Sequence, residues 1–219
     1  MARILALDAA TEACSVALID GERRFVRYEV QPRQHAKLLL PMVDAVMQEA
    51  GLKPAELDAL AVGRGPGSFT GVRIAVATAQ GLAFAADLPC IPVSNLLGLA
   101  QASGLAEGQL GVMAIDARMS EVYWALCRRI DGRLQLESEE RVEAMTAVQW
   151  SPEPLVCAAG TGWEQRALCG QSEQIGDCKP ECLPSAEAIA EIALGEWQRG
   201  ETVKAENLMP VYLRNQVTG

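Results

Sequence analysis

A single histidine in 219 residues is the first scarcity of this sequence, and it removes much of enzyme chemistry at once. His35 opens a mostly apolar stretch with no carboxylate nearby, so a nucleophile–histidine–acid triad or a histidine-based metal centre would have to be assembled from it alone. A capping or packing role suits it better, and no catalytic residue, metal ligand or cofactor is assigned. Positive charge is short as well: 19 Lys and Arg stand against 28 Asp and Glu, for a net charge of -9 and a pI near 4.8. Such a surface repels polyanions on average, which opposes a stand-alone RNA-binding module; any contact with RNA must be borrowed from a partner. Near the N-terminus the apolar run from Ile4 is cut at Asp8, so neither a signal-peptide core nor a membrane span can be built there, and the cytosol is the expected compartment. Paired cysteine motifs are missing too. Several of the seven cysteines sit inside apolar runs, as reduced thiols do. Cys169, Cys178 and Cys182 invite a zinc reading but have no CxxC spacing and no histidine partner.

What is present alternates strand and helix. Ile4 to Leu7, Cys14 to Ile19 and Arg23 to Val30 read as an antiparallel meander turned at Asp8–Glu12 and Gly21. A helix is expected from about Gln34 to Ala50, stopped by Gly51, then a buried strand from Leu57 to Val62. The loop Gly63-Arg64-Gly65-Pro66-Gly67 opens a second helix, about Ser68 to Ala85. A short strand follows at Cys90 to Val93, and then a helix from Ser94. The order βββαβαβα is that of an RNase H-like domain, the building block of actin-like ATPases. After residues 104–108, Val112 to Ala117 echoes Leu5 to Ala9 and is followed by a strand from Val122 to Cys127. A duplicated domain is therefore expected, divided as 1–103 and 104–219, the second smaller and degenerate and its C-terminal tail free to pack back on the first. Within it, a strand from Leu155 to Ala159, a Gly160-Thr161-Gly162 turn and a helix from Ser185 to Arg199 are expected.

The glycine-rich loop tempts a phosphate-binding reading, but its spacing refuses it. No Gly-Lys-Ser/Thr follows, and Thr70 stands where a third dinucleotide-loop glycine would be needed. Gly67, Gly71, Ala75 and Ala79 instead give the second helix a small-residue face for close packing. The turn from Asp8 to Thr11 reads first as a β-turn, although an actin-like ATPase would place its first phosphate loop there. The helix after His35 is apolar over most of its circumference, with Lys37, Asp44 and Gln48 on one line. An apolar span that wide favours a subunit interface, for which Leu39, Val43, Val46 and Met47 on the first helix and Gly71, Val72, Ala75, Val76 and Ala79 on the second are the expected residues.

Taken together, Ile4-Leu5-Ala6-Leu7-Asp8-Ala9-Ala10-Thr11-Glu12, His35-Ala36-Lys37-Leu38-Leu39-Leu40-Pro41, Gly65-Pro66-Gly67-Ser68-Phe69-Thr70-Gly71-Val72-Arg73, Ile115-Asp116-Ala117-Arg118-Met119-Ser120-Glu121 and Pro210-Val211-Tyr212-Leu213-Arg214 resemble the TsaB family along the whole chain. The resemblance implies two actin-like subdomains and a partnership with TsaD, the catalytic paralogue that modifies adenosine 37 of tRNA, and with the ATPase TsaE. It also implies an inactive nucleotide site at Asp8, Thr11, Asp116 and Arg118. Asn95 and Leu99 stand where TsaD has metal-binding histidines, and Ala117-Arg118 where it has two glycines, so close backbone approach to a phosphate is lost. A homodimer is expected for the free chain. The competing expectation is an active, nucleotide-dependent actin-like enzyme acting on a small molecule through Asp8, Thr11 and Asp116.

Overall fold

The computed structural model describes residues 2–151 and 157–214. β1 (Arg3–Asp8), β2 (Ala13–Asp20) and β3 (Arg23–Val30) form the antiparallel meander. β4 (Ala59–Gly63) and β5 (Cys90–Val93) continue the sheet in parallel, in the order β3-β2-β1-β4-β5. β1 and β4 are covered on both faces, which is why they are nearly continuous apolar runs.

α1 (His35–Ala50) and α2 (Phe69–Ala86) lie side by side on one face of this sheet. α1 runs unbroken through Pro41 and stops at Gly51, whose left-handed φ of 71° suits glycine. α2 starts at Ser68, whose Oγ accepts the Gly71 N–H at 3.3 Å. The small-residue face works as packing: a Cβ at Gly71 would overlap the Ala9 carbonyl oxygen, so the first turn of α2 lies against the β1–β2 turn. Among the described residues α2 is the one helix long and apolar enough to cross a membrane by length and composition, and its inner side is taken up by the sheet.

The second sheet contains β6 (Leu110–Arg118), β7 (Glu121–Ile130), β8 (Arg133–Leu136), β9 (Arg141–Ala144), β10 (Cys157–Ala159) and β11 (Asp177–Lys179). Its order is β11-β10-β6-β7-β8, with β9 also on β7. Leu155 and Val156 of the strand expected at Leu155–Ala159 lie outside the described residues. β6 is antiparallel to β7 and parallel to β10, which is parallel to β11, repeating the relation of β1 to β2, β4 and β5. The sequence echo is thus a structural one, and both units have the RNase H-like arrangement.

The covering helices are exchanged. α3 (Asn95–Ala102) follows β5, yet buries Leu96, Leu99 and Ala100 against Met113, Ile115 and Ala125 of the second sheet. α4 (Ala186–Gln198) comes from the second half and buries Ala186, Ile189, Ala190 and Ala193 against the inner face of the first sheet. The tail then runs back along α2: Val203 bridges Cys90, Leu208 is buried, and the Gln80 side chain donates to the carbonyls of Ala205 and Leu208.

Candidate functional site

The two units face each other across a cleft of about 690 Å³. One side is the β1–β2 turn with Ala10, Thr11 and Glu12, together with the entrance to α2. The other is the β6–β7 hairpin with Asp116, Ala117 and Arg118, and the tail from Val211 to Arg214 closes one edge. Thr11, Asp116 and Arg118 all line this cleft.

Asp8 does not join them. Its carboxyl is fully buried at the end of β1, outside the lining of the cleft, where Asn95 Nδ2 donates to its Oδ1 at 2.5 Å. Asn95 is itself fixed: its Oδ1 accepts the Gly65 N–H at 2.7 Å, and its own N–H donates to the Gly65 carbonyl at 3.0 Å. Gly63 presses on the same pair, leaving no space for a Cβ. Asp8 Oδ2 has no hydrogen-bond partner among the described residues. Burial raises the carboxyl to about 7, against the opposing pull of Asn95 and the Ala10 and Ala9 N–H groups. The placement of Asp8 in a nucleotide cleft is thus corrected: the amide of Asn95 and the close approach of Gly63 hold it inside.

The other expected residues of this region are placed as follows. His35 Nε2 donates to the Thr11 carbonyl at 2.9 Å and braces the turn. Leu99 is buried in the second sheet's core. Among the described residues no group of three or more His, Cys, Asp or Glu side chains is placed to hold a metal ion. Arg118, Met119 and Ser120 all have positive φ at the hairpin tip, a conformation that side-chain-bearing residues rarely adopt. Arg118 is 78% exposed and reaches Glu12 and Asp116 only at 3.8 and 3.7 Å.

The expected interface residues are corrected as a group. Leu39, Val43, Val46 and Met47 of α1 and Gly71, Val72, Ala75, Val76 and Ala79 of α2 are all buried against the chain's own first sheet. The outward face of these helices is a different set: Leu40 at 54% and Phe84 at 78% exposure, with Lys37, Ala77, Gly81 and Ala85 also exposed. Periodicity finds an apolar stripe but cannot say which of two apolar sides meets the sheet.

Two clusters escaped the sequence reading because their members are far apart in the chain. Glu140 of the second unit accepts from Arg64 Nη2 at 3.0 Å and from the Ser94 hydroxyl, joining the units behind the cleft. At the mouth of the cleft Arg73 lies 3.6 Å from the Phe69 ring centroid and donates from Nε to the Tyr212 hydroxyl at 2.6 Å. Arg214 pairs with Glu121 of β7 and so ties the tail to the second sheet.

Two RNase H-like units around a cleft define an actin-like protein, here one whose first-strand aspartate is sealed away from that cleft. The family model described as TsaD, tRNA N6-adenosine threonylcarbamoyltransferase, matches residues 26–166. The chain is 41% identical to the tRNA threonylcarbamoyladenosine biosynthesis protein TsaB of Haemophilus influenzae, over 98% of this chain and 94% of that one. It is 43% identical to the Escherichia coli protein of the same name, over 98% and 96%. It superposes on the structure of YeaZ from Pseudomonas aeruginosa with a TM-score of 0.87 at 44% identity, covering 97% of this chain and 100% of that one. The chain belongs to the TsaB (YeaZ) family.

Proposed function

We propose that this chain serves tRNA threonylcarbamoyladenosine formation as a non-catalytic subunit that docks and supports the catalytic paralogue TsaD. TsaE joins the pair, and tRNA is reached only through the assembly, in the cytoplasm. The observation that carries the non-catalytic reading is the sealed Asp8: the carboxyl an actin-like ATPase would turn toward phosphate and metal is committed to Asn95 and cut off from the cleft. The docking surface is the outward side of α1 and α2, where Leu40 and Phe84 project beside the small residues Ala77, Gly81 and Ala85, which let a neighbouring helix come close. The free chain uses the same side to pair with a second copy.

The test is the mass, by light scattering, of the chain alone and mixed with TsaD. Phe84→Asp is expected to leave the fold intact and to weaken both self-association and TsaD capture at least about tenfold. Undiminished TsaD binding by Phe84→Asp together with Ala77→Arg would place the docking surface elsewhere. Magnesium-dependent ATP hydrolysis by the isolated chain would overturn the non-catalytic reading.

A further inference from the structure

The cleft mouth contrasts with the rest of the molecule. The chain carries a net charge of -9, yet three arginines, Arg33, Arg73 and Arg118, stand around this opening with at most loose carboxylate contacts. Arg33 is exposed and makes no hydrogen bond or ion pair among the described residues. Arg73 is held by a ring and a phenol rather than by an acid. Arg118 has only its two long contacts, which at that exposure are worth little. Beside them Phe69 and Tyr212 are exposed on the rim, and Met119 is exposed at the tip of the strained hairpin. Arginine, aromatic and methionine side chains gathered in one place are the composition of protein-interface centres, not of ordinary surface.

We infer that this rim is a second docking surface, adjoining the outward side of α2 at Arg73 but engaged independently of it, and that its occupant is an acidic segment of a partner protein carrying apolar anchors. Charge complementarity selects the occupant: guanidinium groups with loose or no carboxylate partners match carboxylates, and the exposed rings and Met119 match apolar side chains between them. A polyphosphate fits less well, because the hairpin offers arginine and methionine side chains where backbone would have to approach. The inference goes beyond the TsaD-docking reading and does not depend on it.

The experiment measures fluorescence anisotropy of a fluorescein-labelled peptide alternating glutamate and phenylalanine, added to the full chain, beside a counterpart with lysine for glutamate. The acidic peptide is expected to bind in a salt-sensitive way, to lose at least about tenfold in affinity with the double variant Arg33→Glu/Arg118→Glu, and to resist displacement by sodium triphosphate. Equal binding of the two peptides, undiminished binding by the double variant, or ready displacement by triphosphate would each overturn the inference. The same double variant mixed with TsaD is expected to dock normally, and loss of TsaD docking in it would refute the independence of the two surfaces. Failure of the wild-type chain to capture TsaD would sink the docking reading alone, since the peptide measurement is made without TsaD.

Discussion

At the scale of single residues, Asp8 combines complete burial with an unusual proton affinity. Its carboxyl sits at about 7 in the folded chain against an ordinary 3.8, with desolvation as the leading cause. The sign follows: a raised carboxyl holds its proton in the native state at pH values where the unfolded chain has released it. Stability is unaffected below about pH 4, falls as pH rises between about 4 and 7, and above that carries a penalty of about 4 kcal/mol. Asp8→Asn cannot ionise and still presents an oxygen to Asn95 Nδ2, so it should flatten this dependence and be the more stable variant at pH 8. Urea denaturation of both proteins from pH 4 to 8 measures it, and parallel curves would show that Asp8 is not the titrating group. The sequence placed Asp8 at the end of a strand and marked Asn95 as the replacement for a metal ligand. That the two bind each other could not be read from it, because 87 residues separate them and only the parallel pairing of β1, β4 and β5 brings them together.

At the scale of the element, α2 has two sides built from similar residues with opposite duties. Both sides carry small residues at helical spacing, which made the helix easy to find and its orientation impossible to read. Gly71 belongs to the inner side, where the Ala9 carbonyl occupies the space of a side chain. Gly71→Ala must push the helix off the β1–β2 turn and is expected to cost about 2–3 kcal/mol in chemical denaturation, although alanine is the better helix former. A neutral outcome would mean that the helix start shifts freely. Gly81, on the exposed side, has no neighbour within contact distance, and Gly81→Ala should raise stability by up to about 1 kcal/mol. The pair separates packing glycine from permissive glycine within one helix.

At the scale of the whole molecule, strand duplication was legible and helix exchange was not. The echo of Leu5–Ala9 in Val112–Ala117 is a local pattern, and the two sheets repeat one another as it suggests. Which sheet a helix covers depends on connections the sequence does not display: α3 leaves its own sheet for the second, and α4 returns to the first. β8, β9 and β11 are three or four residues long, too short for periodicity to mark them. A chain ending at Ser103 contains every strand of the first sheet but lacks α4, exposing Ile4, Ala6, Ile19, Ala59, Ala61, Ile91 and Val93. It is expected to aggregate or to lack a cooperative thermal transition, while adding a peptide spanning 184–200 should recover soluble, cooperatively melting material. A sharp transition of the 1–103 chain alone would show that the first sheet does not need its borrowed helix.

The exchange of α3 and α4 has a consequence for how the protein is made. A ribosome delivers the first sheet's strands early, but the helix that closes the sheet's inner face is translated only at Ala186–Gln198. Until that helix emerges the apolar face lacks the side chains that cover it in the folded chain, so the first half is not expected to mature on its own as it emerges. Closure of the first sheet waits until Ala186–Gln198 has emerged, and a shorter nascent chain is expected to need its apolar face shielded until then.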